Sequence, residues 1–369
     1  MRRFLIIFGC IVLSGIVAVS AYKMTFRGGS QAYEEPMGAI DIKTERIPLN
    51  PDDLSQTSVG QLHFLGGLVI TSPHIRFGGF SGLHVTSDGS GMLSVSDQGV
   101  WLRATPTYEN GQLSALQGAA LGSMRGKDGE SLKWEWSDAE AITVDDRHRV
   151  YVGLEYFHRI LGYQLPDQGS LNAVFAEDAL PVSNHKPPHD VIIPSNGGIE
   201  ALVSLAPNKL LAITEEAINP DGTLIGWIIE DDSFETLAYQ PHDSYSPVAL
   251  AKLPNGDVMA LERHYTPIDG VSVRLCIIAR QQIAPGNVLS CENIAEMAAP
   301  INVDNFEALA IRQNAQNDTL VYLLSDDNFN QVQDTLMMMF KWVPTGDSAN
   351  SADPAEGLKP ELIQLPASS

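Results

Sequence analysis

The chain has 369 residues, 44% apolar and 18% charged, which is the composition of a globular body and not of a disordered or collagen-like one. Asp and Glu number 45 against 23 Lys and Arg, a formal charge of −22. That balance excludes nucleic acid as a partner, because phosphate contacts need Lys and Arg, and argues against docking on an anionic membrane.

The N-terminus reads as a signal peptide over residues 1–21. Arg2 and Arg3 are basic, Phe4 to Val19 is an apolar run, and Val19-Ser20-Ala21 offers small residues for cleavage. A periplasmic or secreted location follows, with no membrane contact after cleavage. An uncleaved signal would instead leave an N-terminal anchor. Residues 22–60 are polar and aperiodic and are expected to form a linker and lead-in segment. The folded domain is expected over 61–343. The tail 344–369, rich in Pro, Ser, Ala, Asp and Glu, is expected to be disordered.

Within the body one pattern recurs. Its first copy runs from Phe80-Ser81-Gly82-Leu83 through Asp88-Gly89 to Leu93–Ser96 and Asp97. The second runs from Ala139-Glu140-Ala141-Ile142 through Asp145-Asp146 to Val150–Leu154 and Glu155. The third pairs Ile199-Glu200-Ala201-Leu202 with Leu210–Thr214 and Glu215. The fourth pairs Ser246–Leu250 with Val258–Leu261 and Glu262, and the fifth pairs Phe306-Glu307-Ala308-Leu309 with Leu320–Ser325 and Asp326. Each copy is a short apolar strand, a turn of Asp, Asn and Gly, and a second apolar strand ending in a carboxylate. Copies recur roughly every 47 to 60 residues, room for about four short strands. The expected fold is therefore all-β: a β-propeller of five or six blades of antiparallel strands. The segment Gln61–Ile70 is expected to pair with Thr335–Trp342 and close the ring, which removes exposed sheet edges.

Equivalent positions in a propeller lie on a ring around the axis. Eight carboxylates occupy such positions: Glu140, Glu200 and Glu307 on first strands, and Asp97, Glu155, Glu215, Glu262 and Asp326 after second strands. Crowded carboxylates raise one another's pKa unless cations compensate. Oxygen ligands without His or Cys clustering favour Ca²⁺, or alternatively Mg²⁺, over zinc. Asp97, Glu140, Glu155, Glu215, Glu262 and Asp326 are the candidate metal ligands. Arg159, Arg263 and Arg274 carry planar guanidinium forks suited to phosphate or carboxylate, His158 stands beside Arg159, and Glu200 and Glu307 are further candidates in the same ring. Alternatively, such carboxylates cap strands or bond backbone amides between blades, with the arginines as their ion-pair partners. The fourth copy carries Pro247-Val248 where others carry Glu-Ala or Ser-Gly, so one carboxylate is expected to be missing there.

Cys276 and Cys291 flank the turn signal Ala284-Pro285-Gly286-Asn287, and a disulfide across neighbouring strands is expected; two buried free thiols are the alternative. Ser81 lacks the spacing of a nucleophile elbow. The prolines between His185 and His189 forbid a helical metal motif, leaving a rim loop. Met337–Met339 read as apolar strand filling.

Several phrases, in order, resemble the bacterial "esterase-like activity of phytase" family: Gly79–Leu83, Ser96-Asp97-Gln98-Gly99, Glu155–Tyr163, Asn196–Ala201, Leu261-Glu262-Arg263, Asp304–Ala308 and Ser325–Phe329. The resemblance implies an exported phytase-like propeller with Glu and Asp residues linked to phosphoesterase activity. The leading expectation is metal-assisted hydrolysis of a small phosphoric ester by a monomer. The alternatives are a non-catalytic, Ca²⁺-stabilised propeller that binds a ligand or protein, and a Ca²⁺-dependent lactonase or carboxylesterase.

Overall fold

The computed structural model describes residues 38–133, 136–165 and 170–345. The expected signal peptide and all but the first two residues of the expected tail lie outside these. No helix among the described residues is long and apolar enough to cross a membrane.

Five sheets form five blades. Blade 1 holds β5 (Phe80–Val85), β6 (Met92–Ser96), β7 (Val100–Glu109) and β8 (Gln112–Ser123), with β1 (Gly38–Ala39) on its outer edge. Blade 2 runs β9 (Ala139–Val144), β10 (Arg149–Leu154), β11 (Arg159–Gln164) and β12 (Pro181–His185). Blade 3 runs β13 (Ile199–Ala206), β14 (Lys209–Ile218), β15 (Leu224–Glu230) and β16 (Ser233–Tyr239), edged by β20 (Val288–Leu289). Blade 4 runs β17 (Ser246–Lys252), β18 (Val258–Thr266), β19 (Gly270–Ile278) and β21 (Glu292–Ala298).

Blade 5 is assembled from both ends of the chain. β22 (Phe306–Gln313), β23 (Thr319–Ser325) and β24 (Thr335–Trp342) continue into β4 (Leu62–Thr71) and then β2 (Lys43–Ile47). Thr335 pairs with Ile70 and Trp342 with Leu62, so the ring closes through the two segments expected to do so. Of the expected linker 22–60, residues 22–37 lie outside the described residues, and the rest carries short strands. Residues 38–60 supply β1, β2 and β3 (Ser58–Val59), which pair with β8 and β4 through their backbones.

The first strand of each blade lies innermost: β5 neighbours β9, β9 neighbours β13, β13 neighbours β17, β17 neighbours β22, and β22 returns to β5. The turn leaving each inner strand contains a residue with positive φ: Gly89, His148, Asn208, Gly256 and Asn317. Glycine and Asn adopt this conformation at little cost. At His148 the turn is held by Asp145, whose Oδ1 accepts the amides of Arg147 and Arg149.

The apolar core is divided among the five seams between blades. Leu68, Phe80, Leu102 and Tyr322 fill the seam of blades 5 and 1. Trp101, Ile142, Val152 and Tyr163 fill that of blades 1 and 2, and Tyr151, Ile199, Leu210 and Trp227 that of blades 2 and 3. Further clusters occupy the remaining two seams. The run Met337–Met339 shows the logic: Met337 and Met339 face the seam with blade 1, and Met338 faces the seam with blade 4. Strand side chains alternate, so an apolar run covers both faces of a blade sandwiched between two others.

Cys276 of β19 is disulfide-bonded to Cys291, which precedes β21, with Cα atoms 5.3 Å apart. The bridge ties the third strand of blade 4 to the chain returning from the edge of blade 3.

Candidate metal centre

Every inner strand carries a β-bulge near its start. The register of β5 on β6 skips Ser81, that of β9 on β10 skips Glu140, and that of β13 on β14 skips Glu200. The same slip occurs at Val248 and at Glu307. A bulge leaves one residue without a cross-strand partner and re-aims its side chain. Here the five re-aimed residues come from five neighbouring inner strands, and three of them are glutamates.

The residue before each bulge fixes the equivalent position on the second strand. Phe80 pairs with Ser96, Ala139 with Leu154, Ile199 with Thr214, Pro247 with Glu262, and Phe306 with Ser325. One residue further on stand Asp97, Glu155, Glu215, Arg263 and Asp326. The amides of Asp97, Glu155, Glu215 and Asp326 all bond the carbonyl two residues ahead of their own bulge, at Gly79, Asp138, Gly198 and Asn305. Two rings therefore stack at one end of the axis.

This register corrects two expectations. The residue of blade 4 that replaces Glu is Val248, not Pro247. Glu262 is not in the acidic ring; Arg263 is. A one-residue bulge decides which neighbour turns inward, and residue spacing alone cannot show it.

Asp138, Glu140 and Glu155 each offer an oxygen within 4.8 Å of the others. Burial pushes the Glu140 carboxyl well above its ordinary range, and Asp138, Glu155, Glu200 and Glu307 push it further. Glu155 is pushed up to about 7: burial raises it, and the amides of Gly198 and Gly197 partly offset this. Those amides donate to its Oε1 at 2.7 and 2.6 Å. Gly198 is required here, since a Cβ would come within 2.4 Å of Nδ1 of His158.

Glu200 is also raised by burial, then by Glu215 and Glu155, and it hydrogen-bonds Glu215. Asp326 is raised by burial and by Glu307 and Asp97. Arg263 brings positive charge into this group. Its Nη2 lies 3.3 Å from Oε1 of Glu215, and its Nη1 lies 3.2 Å from Oε1 of Glu307 and bonds Oδ1 of Asn305. Burial alone would lower the guanidinium pKa, but Glu307, Glu215, Glu200 and Asp326 hold it above its ordinary value. Glu307 also accepts from the Ser81 hydroxyl at 3.1 Å and from Asn305 Nδ2 at 2.9 Å. Beneath the acids the axis narrows to a small cavity lined by Gly82, Ala141, Leu202, Ala249 and Ala308 among others.

Seven ring carboxylates and Asp138 are thus gathered at one end, with Arg263 paired to Glu215 and Glu307 among them. The set is hard oxygen and largely buried, which fits a divalent cation of the Ca²⁺ or Mg²⁺ type.

A family model described as "Phytase-like: Esterase-like activity of phytase" matches residues 75–329. The chain belongs to this family. The match spans all five inner strands and both rings of the phytase-like propeller. No curated protein matches it. Solved structures with a related chain course include the WD40 repeats of RRP9, at 9% identity and TM-score 0.39, covering 80% of this chain and all of that one. Another is a candidate gluconolactonase, at 8% identity and TM-score 0.42, covering 82% and 93%.

Other expected site residues of the phytase-like propeller lie elsewhere. Glu262 and Arg274 form an ion pair of 3.1 Å, almost fully buried, with the Tyr239 hydroxyl donating to Glu262 at 2.6 Å. Burial raises the Glu262 pKa, while Tyr239 and Arg274 pull it down. The pair lies within blade 4, and the Tyr239 hydroxyl ties it to blade 3. Arg159 donates to the carbonyls of Phe157 and Trp136 and lies over the Trp136 ring. His158 is partly buried against Gly198, and burial lowers its pKa.

Four contributors were missed in the sequence: Asp138, Ser81, Asn305 and the Gly197-Gly198 amides. Asp138 could have been found. It precedes its bulge by two residues, as Gly79, Gly198, Ser246 and Asn305 precede theirs, and it is the one carboxylate among them.

Proposed function

We propose that this phytase-like propeller is an exported, divalent-cation-dependent hydrolase of small phosphoric esters, acting at the acidic end of its axis. The observation that carries the reading is the convergence of Asp138, Glu140 and Glu155 within 4.8 Å, with Glu140 and Glu155 both held above their ordinary pKa by burial and by neighbouring carboxylates. Crowding of this kind is costly without a cation and favourable with one.

Asp138, Glu140 and Glu155 would hold the cation, Ca²⁺ foremost and Mg²⁺ as the alternative. When bound, the cation supplies charge against the ester oxygens and lowers the pKa of a water molecule. Glu200 is hydrogen-bonded to Glu215, and burial and Glu215 hold its carboxyl above its ordinary pKa. One member of such a pair can take a proton from water while the other returns one to the leaving alcohol. Arg263 orients Glu215 and Glu307 from between them. Glu307, bonded to Ser81, Asn305 and Arg263, is suited to fixing this geometry more than to accepting a proton. Arg159 and Arg274 are committed to protein groups, as Arg263 is to Glu215, Glu307 and Asn305, so phosphoryl charge would fall to the cation.

The test is hydrolysis of 4-nitrophenyl phosphate and a bis-ester by purified protein in Ca²⁺ or Mg²⁺, against EDTA and against Glu140→Gln. Turnover that needs the cation and is lost in the variant supports the reading. Tight Ca²⁺ binding with no turnover of any phosphoric ester would replace it with a cation-stabilised binding module.

A further inference from the structure

Trp136 and Phe157 stack face to face, with ring centroids 3.8 Å apart and planes 5° from parallel. Other aromatic pairs, such as Phe77 with Phe80 and Trp101 with Tyr163, meet edge to face, and the second is buried in a seam. Trp136 and Phe157 instead remain 41% and 45% exposed. Two large apolar rings stacked in solvent form an exposed apolar surface of the kind that marks a binding site.

Trp136 stands two residues before Asp138, and Phe157 two residues after Glu155, and the Glu155 amide bonds the Asp138 carbonyl at 2.8 Å. The stack therefore sits on the two chain segments that leave the Asp138–Glu155 rung, at the rim beside the carboxylate triad. Arg159 locks both segments: its guanidinium donates to the carbonyls of Trp136 and Phe157, and its Cζ lies 5.0 Å from the centroid of the Trp136 ring. The Phe157 amide also bonds the Glu155 carbonyl. A rigid, cation-braced pair of flat rings beside a site for charged oxygens is a recognition surface for a molecule with two chemically distinct ends.

We propose that Trp136 and Phe157 form the platform that receives the alcohol moiety of the ester, and that they select esters whose alcohol carries a ring with a flat apolar face, aromatic or sugar-like. Arg159 is a positioning residue for that platform. The inference rests on the hydrolase reading for the ester class, and its test is arranged to separate the two.

Phenylphosphonate, cyclohexylphosphonate and methylphosphonate cannot be hydrolysed at the P–C bond and report binding alone. Titration calorimetry in saturating Ca²⁺ should show both ring phosphonates binding roughly 10-fold more tightly than methylphosphonate, the scale of one aromatic contact. Comparison of the phenyl and cyclohexyl arms distinguishes aromatic stacking from contact with a saturated ring face. That preference should collapse in Trp136→Ala and Phe157→Ala. Trp136→Leu, which keeps apolar bulk, guards against a collapsed loop, and Ca²⁺ affinity of each variant reports an intact triad. For hydrolysis, the variants should raise KM for 4-nitrophenyl phosphate relative to methyl phosphate, with the larger change in KM and not kcat. An unchanged ring-to-methyl affinity ratio in Trp136→Ala and Phe157→Ala, or no ring preference in the unmodified protein, overturns the platform. Ring-selective binding lost in the variants, without turnover of any ester, keeps the platform and removes only the hydrolase reading.

Discussion

Arg263 holds in blade 4 the place that Glu215 holds in blade 3, and the two side chains are bonded, Nη2 to Oε1, at 3.3 Å. The ring of second-strand acids is thus interrupted once, and the interruption supplies its counter-charge. The same guanidinium reaches Glu307 of the neighbouring blade at 3.2 Å. One residue consequently ties the second-strand ring to the bulge ring across three blades.

Arg263→Ala should therefore destabilise the protein by about 3–5 kcal/mol, because it leaves half-buried carboxylates without their partner. Chemical denaturation at neutral pH measures this. Ca²⁺ should recover more of the lost stability in the variant than it adds to the unmodified protein. A loss below about 1 kcal/mol would mean that solvent, and not Arg263, screens the ring.

Stability of the cation-free protein should fall as pH rises from about 4.5 to about 7. Glu155 has a folded pKa of about 7, above its ordinary 4.5, so the folded state binds more protons than the unfolded state across that window. Stability is then greatest below the unfolded value and is lost as pH climbs through the folded one. Ca²⁺ competes with those protons, so the rise in Tm on adding it should be larger at pH 8 than at pH 5. Thermal unfolding with EDTA and with Ca²⁺ across this range gives both slopes, and a flat cation-free profile would contradict the charge crowding.

Glu140→Gln should separate binding from folding. The amide cannot act as an anionic ligand, so Ca²⁺ affinity should fall by at least about 100-fold. The same change removes a buried charge whose ionisation burial opposes, so the cation-free variant should be no less stable than the parent at pH 8. Calorimetric titration and denaturation of one sample decide both.

Gly198→Ala should damage the site without touching a carboxylate. Its Cβ would lie 2.4 Å from His158 Nδ1 and close to Glu155, shifting the loop that donates two amides to Glu155. The expected result is weaker Ca²⁺ binding of roughly 10-fold, the scale of a lost supporting contact behind a metal ligand.

Arg274→Ala serves as the contrast. It strands Glu262 in the interior and should cost about 3–5 kcal/mol, yet Ca²⁺ affinity at the triad should be unchanged because the pair lies off the ring. Matched denaturation and titration data test whether Glu262 belongs to the seam.

Much of this was legible in the chain. The Asp, Asn and Gly turns at Asp88-Gly89, Asn208 and Asn255-Gly256 mark hairpins because few residues accept their backbone geometry. The spacing of Glu140, Glu200 and Glu307 marked the inner ring, since identical repeats put identical positions on one circle. Ring closure by Gln61–Ile70 was visible because an unpaired apolar strand at each end needs a partner. Asp138 and Asn305 were not seen, as they contribute from a position where the other repeats carry Gly or Ser, and Ser81 stood at the ring position without a carboxylate to mark it. Arg159 was misplaced because a cation following an acid in sequence can bond backbone carbonyls as readily as the acid.

By itself the sequence determined the repeat, the strand and turn alternation within it, and the acidity of one end, because local propensity and hydrophobic period act over a few residues. Only the tertiary structure decided which acids meet. A one-residue bulge on each inner strand turned Arg263 inward and left Glu262 in the seam with Arg274. That choice depends on the packing of blades distant in the chain, which settles which face of a strand is buried and which looks onto the axis.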